Sequence, residues 1–343
     1  MAPPWVTVPP RAYGGTEAVI DRLARGFQAV GHEVFLWTTG DSTCPVPKGH
    51  VLPHAAFGRM GIASIELRHL IRGYDELRRW GADVVHDHTL IGPVYANRFL
   101  DLAVATTNHG PFNEDLMDLY KTVSEDTAVI AISHHQASTA VDVPIAATIH
   151  HGLDLEAFPV GDGGGDEQGE YFLFLGRMVP EKGVRRAAVA AKRAGVRLLI
   201  AAKMQEPWEY QFFTEQVEPL LSDRIVFLGE VGPAERIRLL QGAKALLNPI
   251  RWDEPFGLVM IEALACGTPV LAFRQGSAPE IVEHGLTGFL SESTPELAEQ
   301  IPMVPTLDRS GCRKAAETKF ATERMVAGHL DLFERLITAP RRT

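Results

Sequence analysis

Cysteine is scarce in this chain. Cys44, Cys266 and Cys312 are far apart and odd in number among 343 residues. They form no CxxC pair and no metal-ligand spacing. That argues against a disulfide framework or a structural zinc cage, and the expected state is three buried thiols in a reducing compartment. Positive charge is short as well. There are 33 Lys and Arg against 43 Asp and Glu, a net charge of −10. Nucleic-acid binders usually carry a basic face, so that class is not expected. No apolar run is long enough to span a bilayer and no secretory leader is visible, which points to a soluble cytoplasmic protein with at most peripheral membrane contact.

The chain does contain alternating β and α patterns from end to end. A length of 343 residues and an apolar content of 45% suit two domains with ordinary cores. Strands are expected at 34–39, 83–86, 103–108, 128–133 and 146–150, then at 171–175, 197–201, 225–228, 245–248 and 269–273. Helices are expected at 16–30, 64–80, 184–194, 234–241 and 257–266, with a last one at 321–336 striped by Met325, Leu330, Phe333 and Ile337. Strands rich in Val, Ile and Leu, separated by helices, predict parallel sheets covered on both faces. The polar, glycine-rich stretch GDGGGDEQG at 161–169 reads as a linker between two α/β halves. Domains are thus expected at 1–160 and 171–320, with 161–170 between them. The amino end, MAPPWVTVPPRAYGGTE, lacks the apolar strand that normally opens a doubly wound domain. Either that strand is truncated or residues 5–8 take its place.

One stretch carries a chemical question. In WDEPFGLVMIEALACGTPVLAF at 252–273, Glu262 sits in the middle of an apolar helix, and Glu254 stands just before the Pro255–Gly257 turn that launches it. A buried carboxylate needs a partner or loses its charge. The N–H groups of Phe256, Gly257 and Leu258 at a helix start suit a phosphate. A carboxylate on either side suits vicinal hydroxyls. Together they fit a nucleotide sugar, with one glutamate on the ribose and the other on the hexose. The blander possibility is that Glu262 pairs with a buried arginine and Glu254 lies on the surface.

Three further groups join this one. Arg177 and Lys182, in FLGRMVPEKGV at 174–184, follow a strand and could clamp a diphosphate and stabilise a leaving group. A solvated loop with Lys182 paired to Glu181 is the alternative. Gly14 and Gly15 precede a helix and permit close backbone approach, without the spacing of a dinucleotide fingerprint. His86 and His88 flank Asp87 at a strand end, His109 ends another strand, and His134, His135, His150 and His151 follow others. An HxH zinc site is weighed and set aside for want of a third ligand at fixed spacing. His88 and His109 are the best candidates to touch a substrate.

These residues resemble the retaining glycosyltransferases of family 4. The similarity rests on EPFGLVMIE, with seven residues between its glutamates, and on LGRMVPEKG, FLGEVGPAERIRLL, CGTPVLAF and SAPEIVEHGLTGFL. It covers nearly the whole chain. The resemblance implies an α/β GT-B architecture, two Rossmann-like doubly wound parallel-sheet domains facing across a cleft, with segment 321–338 crossing back to the first. It implies a donor half at the carboxyl side and an acceptor half at the amino side. By position, Arg177 and Lys182 resemble the diphosphate clamp, Glu262 the ribose ligand, and Glu254 the group near the donor sugar. Val231 and Arg236 fall at the base-contacting positions, where lysine is commoner than Arg236. Phe256, Gly257 and Leu258 would contact sugar or phosphate, His109 the transferred sugar, and Gly14 and Gly15 the donor phosphates. His88 and Tyr13 are acceptor-side candidates.

The chemistry implied is transfer of a hexosyl group from a UDP-glucose-type or GDP-mannose-type donor to a hydroxyl acceptor on a small molecule, lipid or oligosaccharide. The configuration would be retained and no metal or other cofactor would be needed. Two alternatives stand beside it. One is a sugar-nucleotide epimerase of related fold, and the other is a nucleotide-sugar binder impaired in catalysis by its short first strand.

Overall fold

The computed structural model describes residues 1–11, 14–96 and 102–338. They form two compact units. One comprises Met1–Gly152 with the C-terminal helix Thr322–Thr338, and the other Leu153–Ala321.

The first unit has strands β1 (Leu36–Thr38), β2 (Lys48–His50), β3 (Val84–Asp87), β4 (Ala103–Thr107), β5 (Ala128–Ala131) and β6 (Ile145–Thr148). All pair in parallel, β1 with β2, and β3 to β6 in numerical order. The two sheets are bridged by the first two residues of the chain. The Met1 amine donates to the His86 carbonyl at 2.6 Å, the His88 N–H to the Met1 carbonyl at 3.0 Å, and the Ala2 N–H to the Trp37 carbonyl at 2.9 Å. Met1–Ala2 therefore stands where a first strand would run. Residues 5–8 form no strand; the flanking Pro3–Pro4 and Pro9–Pro10 pairs remove the N–H donors a ladder needs. Helix Thr322–Thr338 buries Met325, Val326, His329, Leu332 and Phe333. Its neighbour is helix Gly15–Ala29, where Phe27 and Phe333 approach to 5.6 Å between ring centroids. Gly26 makes this approach possible, since a Cβ there would lie 2.4 Å from Val326.

The second unit is one parallel sheet of β7 (Phe172–Arg177), β8 (Leu198–Lys203), β9 (Ile225–Gly229), β10 (Leu246–Asn248), β11 (Val270–Phe273) and β12 (Gly288–Ser291). Its spatial order is β12-β11-β10-β7-β8-β9. The chain winds outward from β7 through β9, returns, and winds the other way from β10. The switch point lies between β7 and β10, and at such points the loops beyond the strand ends splay apart and leave a crevice.

The glycine-rich stretch expected to link two domains belongs to the second unit. Gly161 N–H donates to the Cys266 carbonyl, Gly163 to Gln241 and Gly165 to Gly242, at 2.9–3.0 Å. The Arg309 guanidinium holds it further, donating to the carbonyls of Gly161 at 2.9 Å and Ala243 at 2.9 Å. A Cβ on Gly161 would sit 2.3 Å from the Gln241 carbonyl oxygen. These glycines serve close packing rather than flexibility, and the division falls at Gly152–Leu153 instead. The short strands β2 and β12 were not expected; β2 reads Lys-Gly-His and has no apolar alternation to reveal it. All three cysteines are buried and unpaired. Burial pushes each thiol up to about 12, well away from the thiolate that would make it reactive. Among the described residues, no helix is long and apolar enough to cross a membrane.

Candidate active site

Helix Leu258–Ala265 explains itself from its composition. Seven of its eight residues are buried, so it is apolar all round, as interior helices are. Gly257 caps its start with φ +97, a left-handed conformation that β-carbon-bearing residues avoid. Glu262 is 2% exposed within it. Its partner is Arg236, from helix Pro233–Gly242, whose Nη2 stands 3.5 Å from Oε1. The sequence places Arg236 at a base-contacting position; in the structure it answers the charge of Glu262.

Glu254 is not a surface residue. Its Oε2 accepts from Lys182 Nζ at 2.5 Å and from the indole Nε1 of Trp252 at 2.5 Å. The Lys182 ammonium also lies 5.2 Å from the centre of the Trp252 ring, within cation–π range. Lys182 follows β7 and Glu254 follows β10, so the pair spans the switch point of the sheet. The two loops are stitched together by backbone and guanidinium contacts. Arg251 N–H donates to the Glu181 carbonyl at 3.0 Å and Arg186 Nε to the Pro249 carbonyl at 2.8 Å. The alternative reading, Lys182 paired to its neighbour Glu181, is not what forms; Lys182 pairs across the crevice with Glu254.

Gly183 allows this proximity. It caps helix Val184–Ala194 at φ +86, and a Cβ would lie 2.1 Å from the Pro249 carbonyl oxygen. Gly183→Ala is therefore expected to cost about 2–4 kcal/mol and to push the two loops apart. Urea unfolding followed by Trp208 and Trp252 fluorescence would show it as a lowered midpoint; an unchanged midpoint would mean that the loops yield freely.

Arg177 closes the end of β7. Its Nε donates to Glu209, a fully buried carboxylate that also accepts from the N–H groups of Gln205 at 2.5 Å and Glu206 at 2.9 Å. Burial alone would raise Glu209. The two backbone donors and the Arg177 guanidinium outweigh it and hold the carboxyl below its usual range. Glu209 thereby fixes the direction of Arg177.

Sequence reasoning missed four supporting residues: Glu209, Trp252, Gly276 and Ser277. Ser277 Oγ donates to the Phe256 carbonyl, its N–H donates to the Glu254 carbonyl at 3.1 Å, and a Cβ on Gly276 would meet Glu254 N at 2.6 Å. The signal for Glu209 was present as a capping box beginning at Glu206. No local pattern marks the other three.

The remaining candidates are placed as follows. Phe256 and Gly257 are buried and Leu258 half-buried at the helix start, and Val231 is half-buried in the turn after β9. In the first unit, Gly14 caps helix Gly15–Ala29. Tyr13 lies outside the described residues. His88 Nδ1 and His109 Nε2 are 2.9 Å apart, at the carboxyl ends of β3 and β4. Their neighbours are His86, 4.0 Å from His88 between ring centroids, and His151, stacked on His109 at 5.3 Å. Burial depresses the basicity of all four, reinforced by the other histidines, and holds His109 at about 3.

A parallel sheet with cations and carboxylates gathered at its switch point defines a class: a doubly wound α/β protein with a charged crevice at the carboxyl ends of its strands. The comparisons narrow it. Residues 13–157 match the family model described as Glycosyltransferase Family 4, and residues 162–305 that described as Glycosyl transferases group 1. The chain is 31% identical over 262 residues to the D-inositol 3-phosphate glycosyltransferase of Mycobacteroides abscessus, a match covering 69% of this chain and 56% of the relative. The same enzyme of Mycobacterium avium is 32% identical over 236 residues, 62% of this chain and 52% of the relative. The chain thus spans about half the length of the curated relatives it matches.

Among solved structures, sucrose-phosphate synthase of Thermosynechococcus elongatus superposes with a TM-score of 0.80 at 20% identity, covering 98% of this chain and 97% of that one. AviGT4, a glycosyltransferase involved in avilamycin A biosynthesis, gives 0.71 at 24%, covering 98% and 94%. HepE of Anabaena, solved with UDP-glucose, gives 0.75 at 17%, covering 95% and 97%. These likenesses establish the GT-B fold. The chain belongs to the family 4, or group 1, glycosyltransferases.

Proposed function

We propose that this protein transfers a hexosyl group from a nucleotide diphosphate sugar to a hydroxyl acceptor with retention of configuration. The observation that carries the reading is the Lys182–Glu254 pair, set across the switch point of the sheet in front of the helix that begins at Gly257. In this reading Lys182 and Arg177 take the diphosphate, and the Phe256–Leu258 backbone completes the anion site. Glu262, steadied by Arg236, takes the ribose hydroxyls, and Val231 lies beside the base. Glu254 exchanges part of its bond to Lys182 for a hydroxyl of the donor sugar.

As the glycosidic bond breaks, the sugar gains oxocarbenium character and its leaving diphosphate gains negative charge. The two cations and the helix start stabilise that charge, a role a metal ion plays in other sites, so no metal is required. The acceptor hydroxyl then attacks the face the diphosphate is leaving, and the departing phosphate oxygen takes its proton. In the first unit, His109 and His88, both neutral near pH 7, offer hydrogen bonds without adding charge, and Gly14 and Gly15 offer backbone N–H groups. UDP is the first choice of nucleotide, GDP the second, and glucose or mannose the sugar.

The test is calorimetric titration with UDP, GDP, ADP and dTDP without added metal. One nucleotide should bind clearly better than the rest, and Glu262→Ala should weaken it about 30- to 100-fold through loss of a charged hydrogen-bond pair. No binding to any of the four by folded protein would overturn the assignment.

A further inference from the structure

In the first unit, exposed apolar side chains crowd into one stretch that contains no residue of the candidate site. Phe57 is 58% exposed and Met60 72%, and Ile62, Leu67 and Ile71 are 41–42% exposed. The first three belong to the loop that precedes helix Ala63–Trp80 and the last two to the helix itself. The helix buries His69, Leu70, Tyr74 and Leu77 against the core. Leu67 and Ile71, four positions apart, make a second apolar stripe that the core does not use. Nothing lies within 4 Å of where a Cβ would stand on Gly58 or Gly61, so the loop is clear of the body of the unit. Single exposed apolar residues are ordinary on a surface, but a run of five marks a contact surface.

We infer that this loop and helix seat the protein on an anionic lipid bilayer. Charge identifies the occupant. Between Asp41 and Asp75 the sole acidic residue is Glu66, in a chain that has 43. Glu66 is itself buried, turned inward to accept from the N–H groups of Leu90 at 3.0 Å and Ile91 at 3.1 Å, so its carboxylate does not face the surface. Arg59, Arg68 and Arg72 are exposed, and among the described residues none of them holds a carboxylate. Exposed arginines elsewhere do: Arg79 holds Glu76, Arg193 Glu299, Arg274 Glu292 and Arg335 Asp331. Three uncompensated cations on a protein of net charge −10 are a local exception that an anionic surface would answer. The cations also alternate with the apolar tips. Arg59 adjoins Met60, Arg68 adjoins Leu67, and Arg72 adjoins Ile71. A guanidinium beside each tip can stay at the level of the lipid phosphates while the tip enters the acyl boundary ~5–10 Å below. A protruding loop with Phe57 and Met60 at its end suits a yielding surface of lipid better than the fixed relief of a folded partner.

The experiment is co-sedimentation of the full chain with vesicles of phosphatidylcholine alone, and of phosphatidylcholine with about one third phosphatidylglycerol. Partition onto the anionic vesicles should exceed that onto the neutral ones by at least about tenfold, and should fall severalfold as salt rises from about 0.1 to 0.5 M. Arg68→Gln with Arg72→Gln should lower it about 10- to 30-fold. Phe57→Ser with Met60→Ser should lower it about tenfold or more. All four positions are exposed, so the thermal midpoint should stay where it is. The three native cysteines are buried, so a polarity-sensitive dye can be placed on Met60→Cys alone. Its emission should move to the blue on anionic vesicles, whereas the same dye on Glu125→Cys, an exposed position of the same unit, should not respond. Equal partition onto neutral and anionic vesicles would overturn the proposal, as would an unresponsive dye at position 60. No partition onto either would also overturn it and would leave the surface to an acidic protein partner.

Discussion

Lys182→Ala is expected to lower turnover by about 10²–10³-fold while changing nucleotide affinity several-fold at most. The reason lies in when the charge is needed. In the free protein Lys182 is neutralised by Glu254 at 2.5 Å, so part of its attraction for a bound diphosphate is offset by that partner. In the proposed reaction the leaving diphosphate gains charge in the transition state, and a cation already aimed at it needs no reorganisation. Losing one such preorganised donor costs about 3–4 kcal/mol of barrier. The pair has side-chain exposures of 27% and 16%, enough shielding from water for the interaction to matter. Donor hydrolysis, or transfer to a screened acceptor, would be measured beside the calorimetric Kd. A Kd loss as large as the kcat loss would mean that Lys182 serves ground-state binding alone. Wild-type kinetics would remove it from the site.

Acidification from pH 7 to pH 5 is expected to destabilise the first unit by about 4 kcal/mol or more. His69 and His329 are almost fully buried, and burial holds both at about 4. The unfolded chain takes protons on these groups below ~6.5, whereas the folded chain refuses them until ~4. Stability attached to their neutral forms is therefore complete above 6.5 and is lost as pH falls. At pH 5 each contributes a loss of about 2 kcal/mol. His86, His88, His109 and His151 act in the same direction. Glu66 and Asp87, raised chiefly by burial, act against it, since they take up protons earlier in the folded state. Six histidines oppose two carboxyls, and the Met1 amine, lowered chiefly by burial, acts with the histidines. Urea unfolding at the two pH values, with exchange measured for peptides of each unit, would show the loss confined to the first. Equal stability at pH 5 would mean that the histidines are solvated in practice.

Much of the second unit was legible in the sequence. Its strand runs are Val-, Leu- and Ile-rich because a parallel sheet is covered on both faces, and β7 through β11 fall within a few residues of the pattern. The catalytic-looking residues were legible for a related reason. A charged group in an apolar helix, or two cations past a strand end, violates local expectation, and such violations mark sites. Their partners were not legible. Glu262 advertises that it needs a cation, but nothing near it in sequence names Arg236, 26 positions earlier on another helix. Glu254 likewise gives no hint of Lys182, 72 positions away.

The glycine-rich stretch shows the converse failure. Its composition is that of a flexible linker, and the same composition serves a backbone packed against Gln241 and held by Arg309. Glycine permits both, and only the neighbours distinguish them. Of the two readings of the amino end, a strand at residues 5–8 does not form, for a similar reason. Residues 5–8 look more strand-like than Met1–Ala2, yet hydrogen-bonding geometry beside His86 and Trp37 decides which backbone joins the sheet.

The sequence alone determined what is local: the βα alternation, the helix starts at Gly183 and Gly257, and which side chains were too polar for their surroundings. Those properties are set by dihedral preference and by the period of burial, which neighbours in the chain express. The tertiary structure decided the pairings: Lys182 with Glu254, Arg236 with Glu262, and Arg177 with Glu209. Each depends on strand order and on where the chain reverses its winding. Those are settled by how whole elements pack, and no short stretch of residues encodes them.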